Sequence, residues 1–132
     1  ASGNRHRIMA ATNGVTELVR IDVRWTSTDG YQLLASVRDD AGVYASTAWT
    51  SITDAPHAIE IDWRAASAPG ANDGSLSLYV DGTLVQTLGG VDNDTHRVQQ
   101  ARLGPQQGID AGTSGTELFD RFVSRRVSPI GP

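Results

Sequence analysis

Apolar and polar residues alternate along much of this chain with a period of two. In 57–64, Ile59, Ile61 and Trp63 share one parity while Glu60, Asp62 and Arg64 share the other. Successive strand side chains point to opposite faces, so this pattern predicts a half-buried strand with an apolar underside and a charged upper face. In 17–25, Val19, Ile21, Val23 and Trp25 alternate with Arg20, Asp22 and Arg24 in the same way. The run 75–80 ends in Asp81-Gly82, and Thr83 to Leu88 reads as its return strand. Asp-Gly tolerates the positive φ angles of a tight hairpin turn. Strands are predicted at 6–12, 17–25, 31–38, 43–49, 57–64, 75–80, 83–88, 97–103 and 117–125. Turns at 27–30 and 39–42 make 17–49 a three-strand meander, while 65–74 and 104–115 read as long loops of small residues. No convincing helix appears, so the pattern predicts an all-β antiparallel sandwich.

Composition narrows the function more than it names it. A chain of 132 residues is one domain, 1–132, large enough to close a two-layer core without covalent staples. It has no cysteine, which removes disulfides, zinc-thiolate sites and thiol nucleophiles together. All eleven basic residues are arginine, so a P-loop and a Schiff-base lysine are excluded within the chain. The net charge is −4 and the arginines are scattered along the sequence, which argues against a nucleic-acid partner. No apolar run approaches the length of a membrane span, so no membrane insertion is expected. No signal peptide or lipidation motif is visible, and the chain reads as a mature fragment or an excised domain.

Metal and nucleophile chemistry are thinly represented. Gly112-Thr113-Ser114-Gly115-Thr116 places a serine among glycines, but Thr116 breaks the nucleophile-elbow pattern and no strand-turn-helix context surrounds it. His6, His57 and His96 are isolated, with no paired metal-ligand spacing; His57 reads as a hydrogen-bonded histidine at a strand end. Asp92, Asn93 and Asp94 offer three side-chain oxygens in one loop, and Asp110 in the other long loop is a candidate fourth ligand for a hard cation. The cofactor expectation is therefore none or one calcium ion; the alternative role for these residues is to stabilise turns by local hydrogen bonds. Asn93-Asp94-Thr95 is also a formal glycosylation sequon, relevant only in a eukaryotic secretory host.

The segments His57 to Trp63, Leu76 to Gly82, Gly90 to Asp94, Val98 to Gly104 and Gly115 to Arg126, with Phe119-Asp120-Arg121-Phe122 at the centre of the last, resemble a LamG-like jelly-roll domain of the concanavalin A-like lectin/glucanase superfamily. The resemblance covers roughly 17–130. It implies two curved antiparallel sheets, a place in a secreted or surface-attached bacterial protein, and binding of sugars or proteins, sometimes with calcium. Glycosidases of that superfamily carry Glu-x-Asp-x-Glu or Glu-x-Asp-x-x-Glu on a concave strand. Glu60 and Asp62 match the first two positions, with Cα atoms about 7 Å apart on one face. Arg64 and Ala65 stand where the third carboxylate belongs, so the leaving group has no proton donor and no hydrolase is expected.

Sugar binding calls for aromatic platforms beside planar polar groups. Trp25 and Trp63 share parity with aliphatic residues and read as core, whereas Tyr79 shares parity with Ser75 and Ser77; Tyr44 and Trp49 have opposite parities. The candidate ligand-binding residues are Arg20, Asp22, Tyr44, Glu60, Asp62, Arg64 and Tyr79. The expected function is recognition or adhesion, without catalysis, with a carbohydrate as leading ligand and a surface protein as the other partner. The alternatives are a purely structural module of a surface protein or filament, and a degenerate glycosidase. The resembled domains usually carry more strand sequence ahead of the His-x-Ile-Glu-Ile-Asp-Trp segment. The sandwich is therefore expected to lack its first strands and to be completed by an upstream segment or a strand donated by a neighbouring subunit, the alternative being a shorter variant whose sheets are complete with fewer strands.

Overall fold

The computed structural model describes residues 5–126 and residue 130. Nine strands follow in order: β1 (His6–Asn13), β2 (Thr16–Thr26), β3 (Gly30–Arg38), β4 (Tyr44–Ser46), β5 (Thr50–Ile52), β6 (Ile59–Arg64), β7 (Gly74–Val80), β8 (Thr83–Val91) and β9 (Gln100–Gln107). No helix occurs among the described residues. The larger sheet runs β4-β3-β2-β1-β9, with β5 also paired to β3; the smaller runs β6-β7-β8. Every pairing is antiparallel.

The apolar parities predicted from alternation meet in one core. Val19 of β2 stands opposite Ala11 of β1 and Val37 of β3, and these pack with Leu18 and Ala35 against Leu76 and Leu78 of β7 and Val91 of β8. Both β7 leucines are fully excluded from solvent. Ile59, Ile61 and Trp63 of β6 pack against that cluster, as their shared parity predicts. Asp81 and Gly82 take φ values of 51° and 75°, the two positive angles of a type I′ hairpin between β7 and β8.

The strands predicted at 43–49 and 117–125 change. The strand predicted at 43–49 shrinks to β4, and a further short strand, β5, follows beyond the predicted range, the two lying end to end along β3. Between them Thr47 keeps contact with β3, its N–H donating to the Ala35 carbonyl and its hydroxyl accepting from the Ala35 N–H. The strand predicted at 117–125 is absent: Leu118 is 90% exposed, and Phe119, Phe122 and Val123 are exposed too. Its apolar residues fall on adjacent positions, so neither parity makes an apolar face, and Arg121 at φ 52° interrupts extended backbone. β1 pairs with β2 on one side and β9 on the other, and among the described residues the sheets end at β4 and β5, β9, β6 and β8.

Candidate functional site

Arg20, Asp22 and Arg24 of β2, predicted to form a charged strand face, point away from the smaller sheet. Cross-strand partners share a face, so Arg20 stands in a row with Ala10 and Ser36, Asp22 with Arg7 and Leu34, and Arg24 with Gln32. Two irregularities of register bring further groups to this side. In β1, Arg7 and Met9 oppose the adjacent residues Asp22 and Ile21, so Ile8 is an inserted residue. In β2, Glu17 and Val19 oppose Thr12 and Ala11, so Leu18 is inserted. An inserted residue breaks the alternation and re-aims its neighbour. Arg7 and Glu17 thereby join the face of Arg20 and Asp22, and Gln107 at the end of β9 stands opposite Arg7.

The result is a bonded polar network on the outside of a sheet. Arg7 donates to Asp22 Oδ1 at 3.2 Å, to Glu17 Oε2 at 2.6 Å and to Gln107 Oε1 at 2.6 Å. Arg20 donates to the same Glu17 oxygen at 3.0 Å. Only 6% of Arg7 and 3% of Asp22 is exposed, and Gln32 and Ser36 are buried as well. Aromatic rings supply the cover. Tyr44 reaches from β4 to donate its hydroxyl to the Glu17 carbonyl, and the Arg20 guanidinium lies 3.5 Å from the centre of its ring. Arg24 lies 4.1 Å from the Trp49 ring and donates to Gln32. Beside the network, Arg5, Arg7, Arg20, Asp22 and Gln107 line a cleft of about 410 Å³. Arg20, Asp22 and Tyr44 are thus brought together as candidate ligand residues. Arg7 and Glu17 were missed because strict alternation assumes an unbroken period, and Gln107 because 104–115 reads as a loop while β9 runs to Gln107.

The other four candidates lie elsewhere. Glu60, Asp62 and Arg64 of β6 stand opposite Tyr79, Ser77 and Ser75 of β7 on the outer face of the smaller sheet. The two sheets pack through their inner faces, so these residues and the Arg20 face look in opposite directions; no single site holds all seven. Asp62 is bound to Arg64 at 2.8 Å, an exposed pair two residues apart, and the hydrogen bond and charge of Asp62 raise the pKa of Arg64 above its ordinary value. Glu60 accepts from the backbone N–H of Ile130.

The calcium candidates divide as well. Asp92 and Asp94 come together with Asp40, their carboxylate oxygens within 4.8 Å of one another. Asp40, missed because it belongs to a distant turn, is tied in by its N–H to the Asp92 carbonyl. Desolvation, then a hydrogen bond and like charge from Asp40, raise the pKa of Asp94. Desolvation pushes the Asp40 carboxyl upward too, yet hydrogen bonds from the Thr95 hydroxyl and N–H, then from Asp94, hold it below its ordinary value. Three carboxylates suit a hard cation such as calcium, which takes six to eight oxygens. Asn93 is not one of them: its buried amide accepts from Ala66 N–H at 2.7 Å and donates to the Arg64 carbonyl. Asp110 is outside the group and closes a local turn with Gly112 and Thr113. His57 is the hydrogen-bonded strand-end histidine expected, held by Asp81 and Thr53.

Comparison with protein-family models, with curated proteins and with solved structures gives no match. No helix among the described residues is long and apolar enough to cross a membrane.

Proposed function

We propose that the chain is a non-catalytic recognition module of an exported protein, with a LamG-like jelly-roll fold and a carbohydrate ligand on the outer face of the larger sheet. The observation that carries this reading is the buried polar network of Arg7, Glu17, Asp22 and Gln107 beside a cleft, with Arg20 stacked on Tyr44. The outer face of a sandwich sheet is ordinarily solvated, with no reason to bury charge. A network held in place by its own bonds offers fixed donors and acceptors, and fixed groups bind with less loss of side-chain freedom. The absence of catalysis is supported by the pairing of Asp62 with Arg64, at the position where the resembled glycosidases need an acid.

A glycan panel tests the reading. Binding is expected to fall on Tyr44→Ala and to survive Tyr79→Ala on the opposite sheet, with no reducing ends released from β-glucans. Loss on Tyr79→Ala alone would move the ligand to the smaller sheet. Binding to no glycan would favour the second reading, a structural module that packs against a neighbouring protein. That reading draws on the exposed Leu118, Phe119 and Phe122 and on the edges of β6, β8 and β9 that stay open among the described residues, where a donated strand would pair.

A further inference from the structure

Charge is distributed unevenly over this molecule. The chain is acidic overall, at −4, yet six of its eleven arginines gather at the outer face of the larger sheet. Arg7, Arg20 and Arg24 are placed there by strand register, and Arg102 shares a row with Ala10 and Arg20. Arg5 lies 3.9 Å from Asp22 Oδ2, and Arg38 lies 5.6 Å from the Tyr44 ring. Against them stand two carboxylates of the network, Glu17 and Asp22. The arginines scattered in sequence are therefore clustered in space, and the negative excess belongs to the rest of the surface.

We infer that this face selects an acidic sugar, one whose carboxylate or sulfate meets the guanidinium groups while its hydroxyls donate to the interleaved acceptors. The inference rests on the proposed carbohydrate site and names the class of glycan. Each half of the site demands its half of the ligand. A neutral sugar gives no use to the surplus of arginine, because hydroxyls are matched by uncharged partners. Arginine is suited to planar oxyanions, which it meets with two parallel N–H donors. A phosphate backbone would use the arginines but present no hydroxyl-rich edge to Asp22 and Gln107, the acceptors that line the cleft. The acidic remainder of the protein would also repel a long polyanion. A sugar acid carries both kinds of group within one residue. The cleft volume, about 410 Å³, lies in the range of small-ligand sites. Gly108 at its rim sits where a Cβ would come 2.6 Å from the Arg5 carbonyl, so the end of β9 closes onto the start of β1 only because that side chain is missing.

The test measures binding of an oligogalacturonate, its carboxyl-reduced form, a sulfated galactan oligosaccharide, its desulfated form and a single-stranded RNA of similar length. At least one acidic sugar is expected to bind about tenfold or more tightly than its neutral counterpart, as fits loss of a charge-assisted bond. Raised salt should narrow that gap. Arg20→Gln and Arg5→Gln, each checked for an unchanged melting curve, should remove the preference, and Arg97→Gln on a distant loop should keep it; Arg5 is the safer probe, its side chain being 60% exposed. Which acidic sugar binds distinguishes a carboxylate from a sulfate ligand. Equal binding of acidic and neutral sugars would overturn the inference while leaving the carbohydrate site standing. RNA binding as tight as the acidic sugar, weakened by the same variants, would overturn it in favour of an unselective polyanion surface. Failure of every sugar to bind would remove the carbohydrate reading and this inference with it.

Discussion

Asn93 was a ligand candidate by its neighbours and is a structural residue by its contacts. It is fully buried, and its amide joins the 64–66 segment to the chain after β8 through Ala66 N–H and the Arg64 carbonyl. Asn93→Ala leaves the buried Ala66 N–H without a partner, which costs about 1–3 kcal/mol. Gly74 lies against the same amide: a Cβ there would come 2.6 Å from the Val91 carbonyl and closer still to Asn93 Oδ1. Gly74→Ala is expected to cost about 1–3 kcal/mol by overpacking. Urea unfolding of both variants measures the two losses; wild-type midpoints would show that the amide carries no stability. The sequence spelled Asp-Asn-Asp and could not say which of the three turns inward. That depends on the approach of Ala66, a backbone group that leaves no signature in side-chain pattern.

Among the elements, the β7–β8 hairpin and the entrance to β6 are fastened by one side chain. Asp81 accepts from His57 at 2.7 Å and from the Ala58 N–H at 2.9 Å, while its own N–H donates to the Ala58 carbonyl. The His57 hydrogen bond first, and the Ala58 N–H second, hold the Asp81 carboxyl below its ordinary value of 3.8. A carboxylate with a lowered folded pKa contributes its full stability above the unfolded pKa and loses it as the pH falls through the folded one. Wild-type melting temperature is therefore expected to drop as the pH is lowered below about 4. Asp81→Asn, which tolerates the same positive φ, should start lower at neutral pH and show a shallower acid limb; parallel acid limbs would exclude the contact as a source. The hairpin was legible because Asp-Gly is a local signal and the strands beside it alternate without interruption. Arg7 and Glu17 were illegible for the opposite reason, since Ile8 and Leu18 break the count and alternation read through them assigns the wrong side.

At the scale of the molecule, two antiparallel sheets share a core that the parities of β2, β6 and β7 foretold, and the last predicted strand fails because its apolar residues fall on both parities. Assembly also brings Asp40 to Asp92 and Asp94, a meeting of distant turns that spacing along the chain does not record. An ion held only by the folded state adds RT ln(1 + [L]/Kd), about 2.7 kcal/mol at a hundredfold excess over Kd. If these oxygens hold calcium, the melting temperature is expected to be higher in millimolar calcium than in EDTA, and Asp40→Asn should abolish the difference. Equal melting temperatures would leave the group as a pair of turns joined by hydrogen bonds.

The two inserted residues have a consequence for how this surface changes over generations of sequence. Most sheet faces are edited one side chain at a time, by exchange. Here the membership of Arg7 and Glu17 depends on the length of the chain between fixed pairings, so loss of a single codon at Ile8 or Leu18 would swap which neighbours look outward while altering no other letter. Comparing distant relatives of such a protein column by column, without allowing gaps inside strands, would score the arginine as replaced when only its address had moved.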